Sequence, residues 1–424
     1  MRETDPDFTT FFRAFLKIGL LSFGGPAAQI AVMHRVLVEE TRWLTEQRYL
    51  SALSFCMLLP GPEAMQLATY AGWRLRGVPG GLIAGLLFVM PGALVMLALS
   101  VIYALYGETG LLASLFLGIK AAVLIIVFQA LLKVSGRALK RADHWALAGL
   151  AFVALFFLNL PFPLIILAAG IYGFLAAPPV SVESGGSETG RASLRRTAVT
   201  MLIGLIIWLA PLVALDLATG GGILAEIGYF FSKLAVVTFG GAYAVLAYMA
   251  QDVVQQHGWL TAPQMMDGLG LAETTPGPLI LVTQFVGFLA AAGEGGVWLG
   301  VAATAVTLWA TFVPCFLWIF AGAPWIEWLG TQRRLSGALS GITAAVVGVI
   351  LNLSLWFGLH VLFGAVNRVE AGPIAIWLPE LSTIDWTVLG LTALSGVLLL
   401  VIRVGIFTAL AIAAGAGWAI ATFL

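Results

Sequence analysis

The chain has 424 residues, of which 60% are hydrophobic and 10% charged, with 21 Lys+Arg against 21 Asp+Glu. Soluble domains carry about 25% charged residues, so these proportions exclude a soluble enzyme. Two cysteines, Cys56 and Cys315, both in apolar runs, exclude a disulfide scaffold and read as buried thiols. Zero net charge without a basic stretch argues against nucleic acid as a partner. What remains is an all-α polytopic membrane protein.

Met1 to Asp7 is polar and acidic, and no small-residue cleavage site follows a compact apolar core, so no cleavable signal is expected. The next two segments, 8–40 and 46–76, are each interrupted midway, the first by Phe23-Gly24-Gly25-Pro26 and the second by Pro60-Gly61-Pro62. Proline lacks an N–H and clashes inside a helix, and glycine favours turns, so each segment reads as two half-helices joined at a break. Nine apolar runs meet the spanning length of about 20 residues. They are 81–106, 110–133, 144–159, 161–177, 197–217, 297–321, 335–363, 383–401 and 403–422. Between the fourth and fifth, Pro178 to Arg196 is rich in Ser, Gly and Glu and reads as a flexible linker.

The two halves repeat. At a shift of 216 positions Lys17 falls on Lys233, Phe23-Gly24-Gly25 on Phe239-Gly240-Gly241, Trp43-Leu44-Thr45 on Trp259-Leu260-Thr261, and Pro60-Gly61-Pro62 on Pro276-Gly277-Pro278. A seven-residue insertion moves the offset to 223, where Pro91 meets Pro314 and Gly118-Ile119 meets Gly341-Ile342. The expected division is 1–177 for the first repeat, 178–222 for the linker and an extra span, and 223–424 for the second repeat.

One extra crossing between the copies would invert the second. The charges agree: Arg74 and Arg76 precede the span 81–106, whereas in the second copy Glu294 marks the start and Arg333 and Arg334 the far end. Lys and Arg mark cytoplasmic loops, so the bias switching ends is the mark of two inverted-topology repeats. The broken segments either cross as discontinuous helices or dip in and return as re-entrant hairpins. Crossing would put Arg35, Arg42 and Arg48 outside, so charge favours re-entry.

Irregular backbone at membrane depth is tolerated only inside protein or beside a wet cavity. Half-helices starting after Gly25 and after Pro62, with their copies at 239–241 and 276–278, would aim unpaired N–H groups and a partial positive charge at one spot. That is an anion site of the kind found at transporter midplanes. Lys17 and Lys233, six residues before the first break of each copy, could together offset the charge of a dianion, with snorkelling to the interface the alternative. Gln66 could donate to an oxyanion or simply pack. Glu63 and Glu273 flank the PGP breaks and read as proton-coupling residues, with helix capping the alternative for Glu63. No cofactor and no metal is expected, since four histidines show no ligand spacing and no enzyme signature occurs.

The runs FLKIGLLSFGGPAAQIAVMHRVLV and RWLTEQRYLSALSFCMLLPGPEAMQLATYAGWRLRG resemble the amino-terminal domain of the chromate ion transporter family. VVTFGGAYAVLAYM and ETTPGPLILVTQFVGF resemble its carboxy-terminal domain. This looks like the long, two-domain form, although the second copy has FGGA where the first has FGGP. The resemblance implies a bacterial inner-membrane antiporter exporting chromate on the proton motive force, with sulfate a related oxyanion. The N-terminus would be cytoplasmic and the C-terminus periplasmic. The partners expected are the oxyanion, protons and the lipid bilayer; homodimerisation stays open.

Overall fold

The computed structural model describes residues 6–107, 109–177, 194–237, 239, 242–326, 329, 332–372 and 374–423. Most of the expected linker, and Gly240 and Gly241, lie outside them. Among the described residues the chain is helical apart from one β-hairpin. Among the described residues, six helical stretches are long and apolar enough to cross a membrane: 63–106, 110–138, 194–219, 279–325, 333–362 and 406–423. The protein is therefore a multi-pass, essentially all-α membrane protein. Three of the nine expected spans are shorter. Helices α6 (Ala142–Phe156) and α7 (Phe162–Ala176) have 15 residues each, about 22 Å at 1.5 Å per residue, against a hydrocarbon core of about 30 Å.

The longest helix, α4 (Glu63–Tyr106), is two arms rather than one rod. Its path breaks at Arg76 (φ −139°, ψ 24°) and Gly77 (φ 65°, ψ −158°), a left-handed turn that glycine adopts without strain. Gly72 and Gly80 then face each other closely enough that a Cβ on either would strike the other's carbonyl oxygen. The arms are thus an antiparallel pair. Helix α12 (Val282–Gly322) does the same at Gly295 (φ −137°, ψ 18°) and Gly296 (φ 77°, ψ −177°). Gly77 and Gly296 are 219 positions apart, between the 216 of the breaks and the 223 of the second arms. The insertion therefore divides into three residues before the turn and four after it. Each is close to one helical turn of 3.6 residues, so the packed faces are kept.

The chain forms two compact units, each drawing on both halves of the sequence. The first comprises Met1–Ala98, Gly173–Ala242 and Thr275–Leu339. Within it, the guanidinium of Arg76 donates to the carbonyl of Pro6 at 2.7 Å and lies over the Phe8 ring. Trp43 stacks on Phe11 and Phe15 at centroid distances of 6.3 and 6.5 Å. The beginning, middle and end of the stretch from Pro6 to Arg76 thus share one end of the unit. A straight 30-residue helix would instead part its ends by about 45 Å. Both broken segments of the first copy are therefore re-entrant: α1 (Phe8–Leu21) with α2 (Gly25–His34), and α3 (Glu46–Cys56) with the first arm of α4.

The direction of the second copy follows from packing in the same unit. Gly81 faces the ring of Phe320, and Gly85 faces that of Phe316. The second arms of α4 and α12 accordingly run antiparallel, and the turns at Gly77 and Gly296 lie at opposite ends. Helix α8 (Leu194–Thr219) runs along α12 in the opposite sense. Trp325 donates to Thr197 at 2.9 Å, and Trp309 donates to the Trp208 carbonyl at 3.1 Å. The extra helix hence carries the chain from the Gly77 end to the other, and the copy that follows begins upside down.

Local detail repeats as well. Residues Arg35–Glu40 and Asp252–Gln256 are both π-helical, closed by matching bonds from Thr41 to Val36 and from His257 to Asp252, each 3.0 Å. Thr45 caps α3 and Thr261 caps α11 (Ala262–Thr274), each 3.4 Å from the amide three residues on.

The second unit is built around α5 (Gly110–Ala138). Two C-terminal helices, α14 (Trp386–Gly396) and α15 (Ile406–Phe423), pack on it, with Gly118 against the Ala413 carbonyl. Lipid supplies no hydrophobic drive between helices, so close contact through small residues supplies the attraction. Helix α13 (Arg333–Leu362) lays Gly348 against Ala148 of α6. An antiparallel hairpin, β1 (Val366–Ala371) and β2 (Ile374–Pro379), follows, and its Ala375 amide donates to Phe157 at 2.7 Å. The alternation of Ile374, Ile376 and Leu378 is the strand signal in this stretch.

In a background with Cys56 and Cys315 replaced by serine, Arg42→Cys and Glu294→Cys should react with an impermeant thiol reagent from opposite faces of the membrane. Labelling from one and the same face would refute the antiparallel arrangement.

Candidate functional site

The tip of the first hairpin is made by its glycines. Gly24 and Gly25 have φ of 81° and 80°, and Gly24 caps α2 with no side chain to cover the helix start. Pro26 has no N–H to offer. The amides of Gly24, Gly25 and Ala27 thus precede any carbonyl that the helix could give them, and the helix dipole adds partial positive charge there. Because Gly19 of α1 packs on the Leu87 carbonyl, this tip comes level with Pro91 and Gly92, halfway along the second arm of α4.

The second-copy break meets it there. The Gly277 amide donates to the Ser22 carbonyl at 2.7 Å, and the Gly277 carbonyl accepts from the Gln29 side chain at 2.6 Å. Gly92 packs its backbone on the Pro276 carbonyl, where any Cβ would collide. Pro276, Gly277 and Pro278 are all buried. A 3-10 turn, Leu279–Leu281, opens directly after them without a side-chain cap.

The first-copy break mirrors this contact. Gly61 (φ 117°) sits where an added Cβ would lie 2.8 Å from Cys315 Sγ. Gly61 corresponds to Gly277, and Cys315 to Gly92, so the two contacts are the same contact seen twice. Each copy's PGP packs on the other copy's second arm beside its proline, Pro91 or Pro314. Gln66 donates to the Pro60 carbonyl at 2.7 Å, while its buried Oε1 has no partner among the described residues. Glu63 is the first residue of α4, at the helix start itself.

Other residues singled out from the sequence stand apart. Lys17 is exposed and pairs with Glu40 at 2.8 Å, so its charge already has a partner. Lys233 is exposed on α9 (Ile223–Val237). Phe239 repeats the local bond of Phe23, each amide 3.0 Å from a carbonyl two residues back. In the second unit Glu273 is buried and accepts a 2.9 Å bond from the Tyr243 hydroxyl.

Two polar features escaped sequence reasoning. Asp267 is buried in the second unit beside Tyr103 and Lys120. In the first, Thr304, Thr307 and Thr311 have buried hydroxyls without partners among the described residues, as do Ser232 and the Gln284 Oε1. The threonine spacing of three and four in an apolar helix was the signal for a polar stripe. Among the described residues no His/Cys/Asp/Glu group could hold a metal ion. A cavity of about 670 Å³ between α4, α8 and α12 is lined by Leu82, Ile203, Phe312 and similar side chains. Its surface suits acyl chains, not a dianion, which needs donors.

The family model for the chromate transporter matches residues 9–174 and 225–418. The chain is 33% identical over 352 residues to a chromate transport protein of Pseudomonas aeruginosa, covering 81% of this chain and 79% of that protein. It is 30% identical over 387 residues to a probable chromate transport protein of Synechococcus elongatus, covering 86% and 90%. A chromate transport protein of Cupriavidus metallidurans is 31% identical over 338 residues, covering 79% of each. No solved structure matches.

Gly92→Ala places a methyl group on the Pro276 carbonyl and should cost about 1–3 kcal/mol or more, as overpacking does. Gly25→Ala meets open space and should cost about 1–2 kcal/mol of backbone strain. Thermal unfolding in detergent should rank Gly92→Ala as the less stable; the reverse order would mean the two copies do not meet at that glycine.

Proposed function

Because the chain belongs to the chromate transporter family, we propose that it is a secondary transporter exporting chromate across the bacterial inner membrane, powered by the proton motive force, with sulfate a related substrate. The observation that carries this reading is the meeting of the FGGP tip with the second PGP inside the first unit, level with Pro91.

A tetrahedral dianion needs several donors and some positive charge. Helix starts without a side-chain cap at Gly25 and Leu279, together with the start of α4 at Glu63, provide oriented amides. Glycine at 24 and 25 lets an oxyanion approach the backbone, and glycine at 61 and 277 lets each PGP turn close on the other copy's second arm. Phe23, Pro26, Pro60, Pro62, Pro276 and Pro278 fix the turns, and the sequence repeat assigns Phe239, Gly240 and Gly241 as the fourth element. Gln66 is the side-chain donor once it turns from the Pro60 carbonyl. Lys17 and Lys233 add charge from the first helix of each copy, Lys17 after exchanging Glu40 for the anion. Exit of a dianion also follows the membrane potential, about 2.3 kcal/mol per charge per 100 mV and thus about twice that here.

Protons couple through Glu63 or Glu273. An ionised Glu63 at the start of α4 would compete with the anion for the same amides, so binding favours its neutral form. The arginine-rich end, with Arg42, Arg48, Arg74, Arg76, Arg195 and Arg196, supports a cytoplasmic N-terminus and a periplasmic C-terminus. Residues 1–177 and 223–424 act as the two repeats, rocking against each other between inward-open and outward-open states.

Inverted membrane vesicles test the reading. They should accumulate radiolabelled chromate faster with an imposed proton gradient, and excess sulfate should compete. No uptake above protein-free vesicles under any gradient would defeat it. For the lysine, Glu40→Gln should lower the apparent KM for chromate and Lys17→Ala should raise it several-fold. Unchanged KM in both variants would remove Lys17 from the site.

A further inference from the structure

The second unit contains a polar cluster that anion binding does not use. Helix α11 crosses α5 closely, with Gly270 against Ile119 and Val123. At that crossing Asp267 is 3% exposed. Its Oδ2 accepts a 2.7 Å bond from the Tyr103 hydroxyl, and the Lys120 ammonium lies 3.4 Å from the same oxygen. Oδ1 is buried with no partner among the described residues. Two donors crowd one oxygen and leave the other bare, an arrangement that a purely structural ion pair has no reason to keep.

The repeat sharpens the point. At the equivalent positions the other copy has Ser51 for Asp267, Thr343 for Lys120 and Ile326 for Tyr103. The shared scaffold therefore does not require these three groups. A charged pair placed in one copy alone, at a cost in desolvation, marks a functional site by default.

We propose that Asp267 is a proton-binding site of the transport cycle and that Lys120 is its internal competitor. A proton adds to the unpartnered Oδ1, the carboxylate becomes neutral, and the Lys120 ammonium is released from the pair. Loss of the proton restores it. The charged and titratable groups around the site are Tyr103 from α4, Lys120 from α5, and Glu273 further along α11. Glu273 has its own partner in Tyr243 of α10 (Ala242–Gln251) and faces Lys133 of α5. This inference rests on the reading of the chain as a proton-coupled transporter and moves part of the coupling from Glu63 and Glu273 to Asp267.

The test uses the purified full chain in proteoliposomes, with radiolabelled chromate. Asp267→Asn should abolish the stimulation of uptake by a proton gradient while chromate–chromate exchange stays within about twofold of wild type. Asp267→Glu should restore stimulation. Since Asp267→Asn leaves Lys120 unpaired and could unfold the crossing, the double variant Asp267→Ser with Lys120→Thr supplies the neutral residues of the other copy. It should exchange chromate and ignore the gradient. Gradient-driven uptake retained by Asp267→Asn or by the double variant would overturn the proposal. If wild type moves no chromate at all, the transport reading fails, and infrared difference spectra on pH titration still decide this site. A protonated-carboxyl band present in wild type and lost in Asp267→Asn supports it; its absence from wild type refutes it.

Discussion

A peptide group inside a lipid bilayer must find a partner within the protein, and the break Pro276-Gly277-Pro278 has no helix to supply one. The first copy supplies it instead. Ser22 offers its carbonyl to the Gly277 amide, and Gln29 donates to the Gly277 carbonyl. This exchange makes the interrupted helices tolerable at depth, and it ties the two copies together at the level where their amide-rich helix starts are left uncovered. The reciprocal packing of Gly61 on Cys315 and of Gly277 on Gly92 uses the same solution in both directions.

Close approach sets the rest of the first unit. Gly92 has no side chain because the Pro276 carbonyl occupies that space, and the turns at Gly77 and Gly296 have the φ that glycine reaches freely. The extra residues of the second copy fall as roughly one turn in each arm. Longer arms with the same faces inward preserve the contact between the breaks. An insertion of one or two residues would have rotated those faces by 100° or more, on the order of a quarter turn or greater.

Symmetry holds for the scaffold and fails for its polar side chains. Glycines, prolines, π-turns and the threonine caps repeat. Asp267, Lys120, Tyr103, Glu273 and Tyr243 do not: their equivalents are Ser51, Thr343, Ile326, Met57 and Ala27. A transporter that alternates between two mirrored states needs equivalent hinges in both copies, whereas the ion that drives it needs only one set of ligands. The proposed proton site accordingly falls where the repeat is broken.

The sequence by itself determined the membrane class, the duplication, the breaks at Phe23–Pro26, Pro60–Pro62 and Pro276–Pro278, and the inverted sense of the second copy. Those properties are local or additive: composition, proline and glycine placement, and the charge of loops. Re-entry was favoured by charge and decided by tertiary contact, because only the return of Trp43 and Arg76 to α1 distinguishes a hairpin from a crossing. The pairing of Lys17 with Glu40, and of Asp267 with Lys120, was likewise beyond the sequence. Those partners lie 23 and 147 positions apart, and what brings them together is helix packing, which no periodicity in either segment encodes.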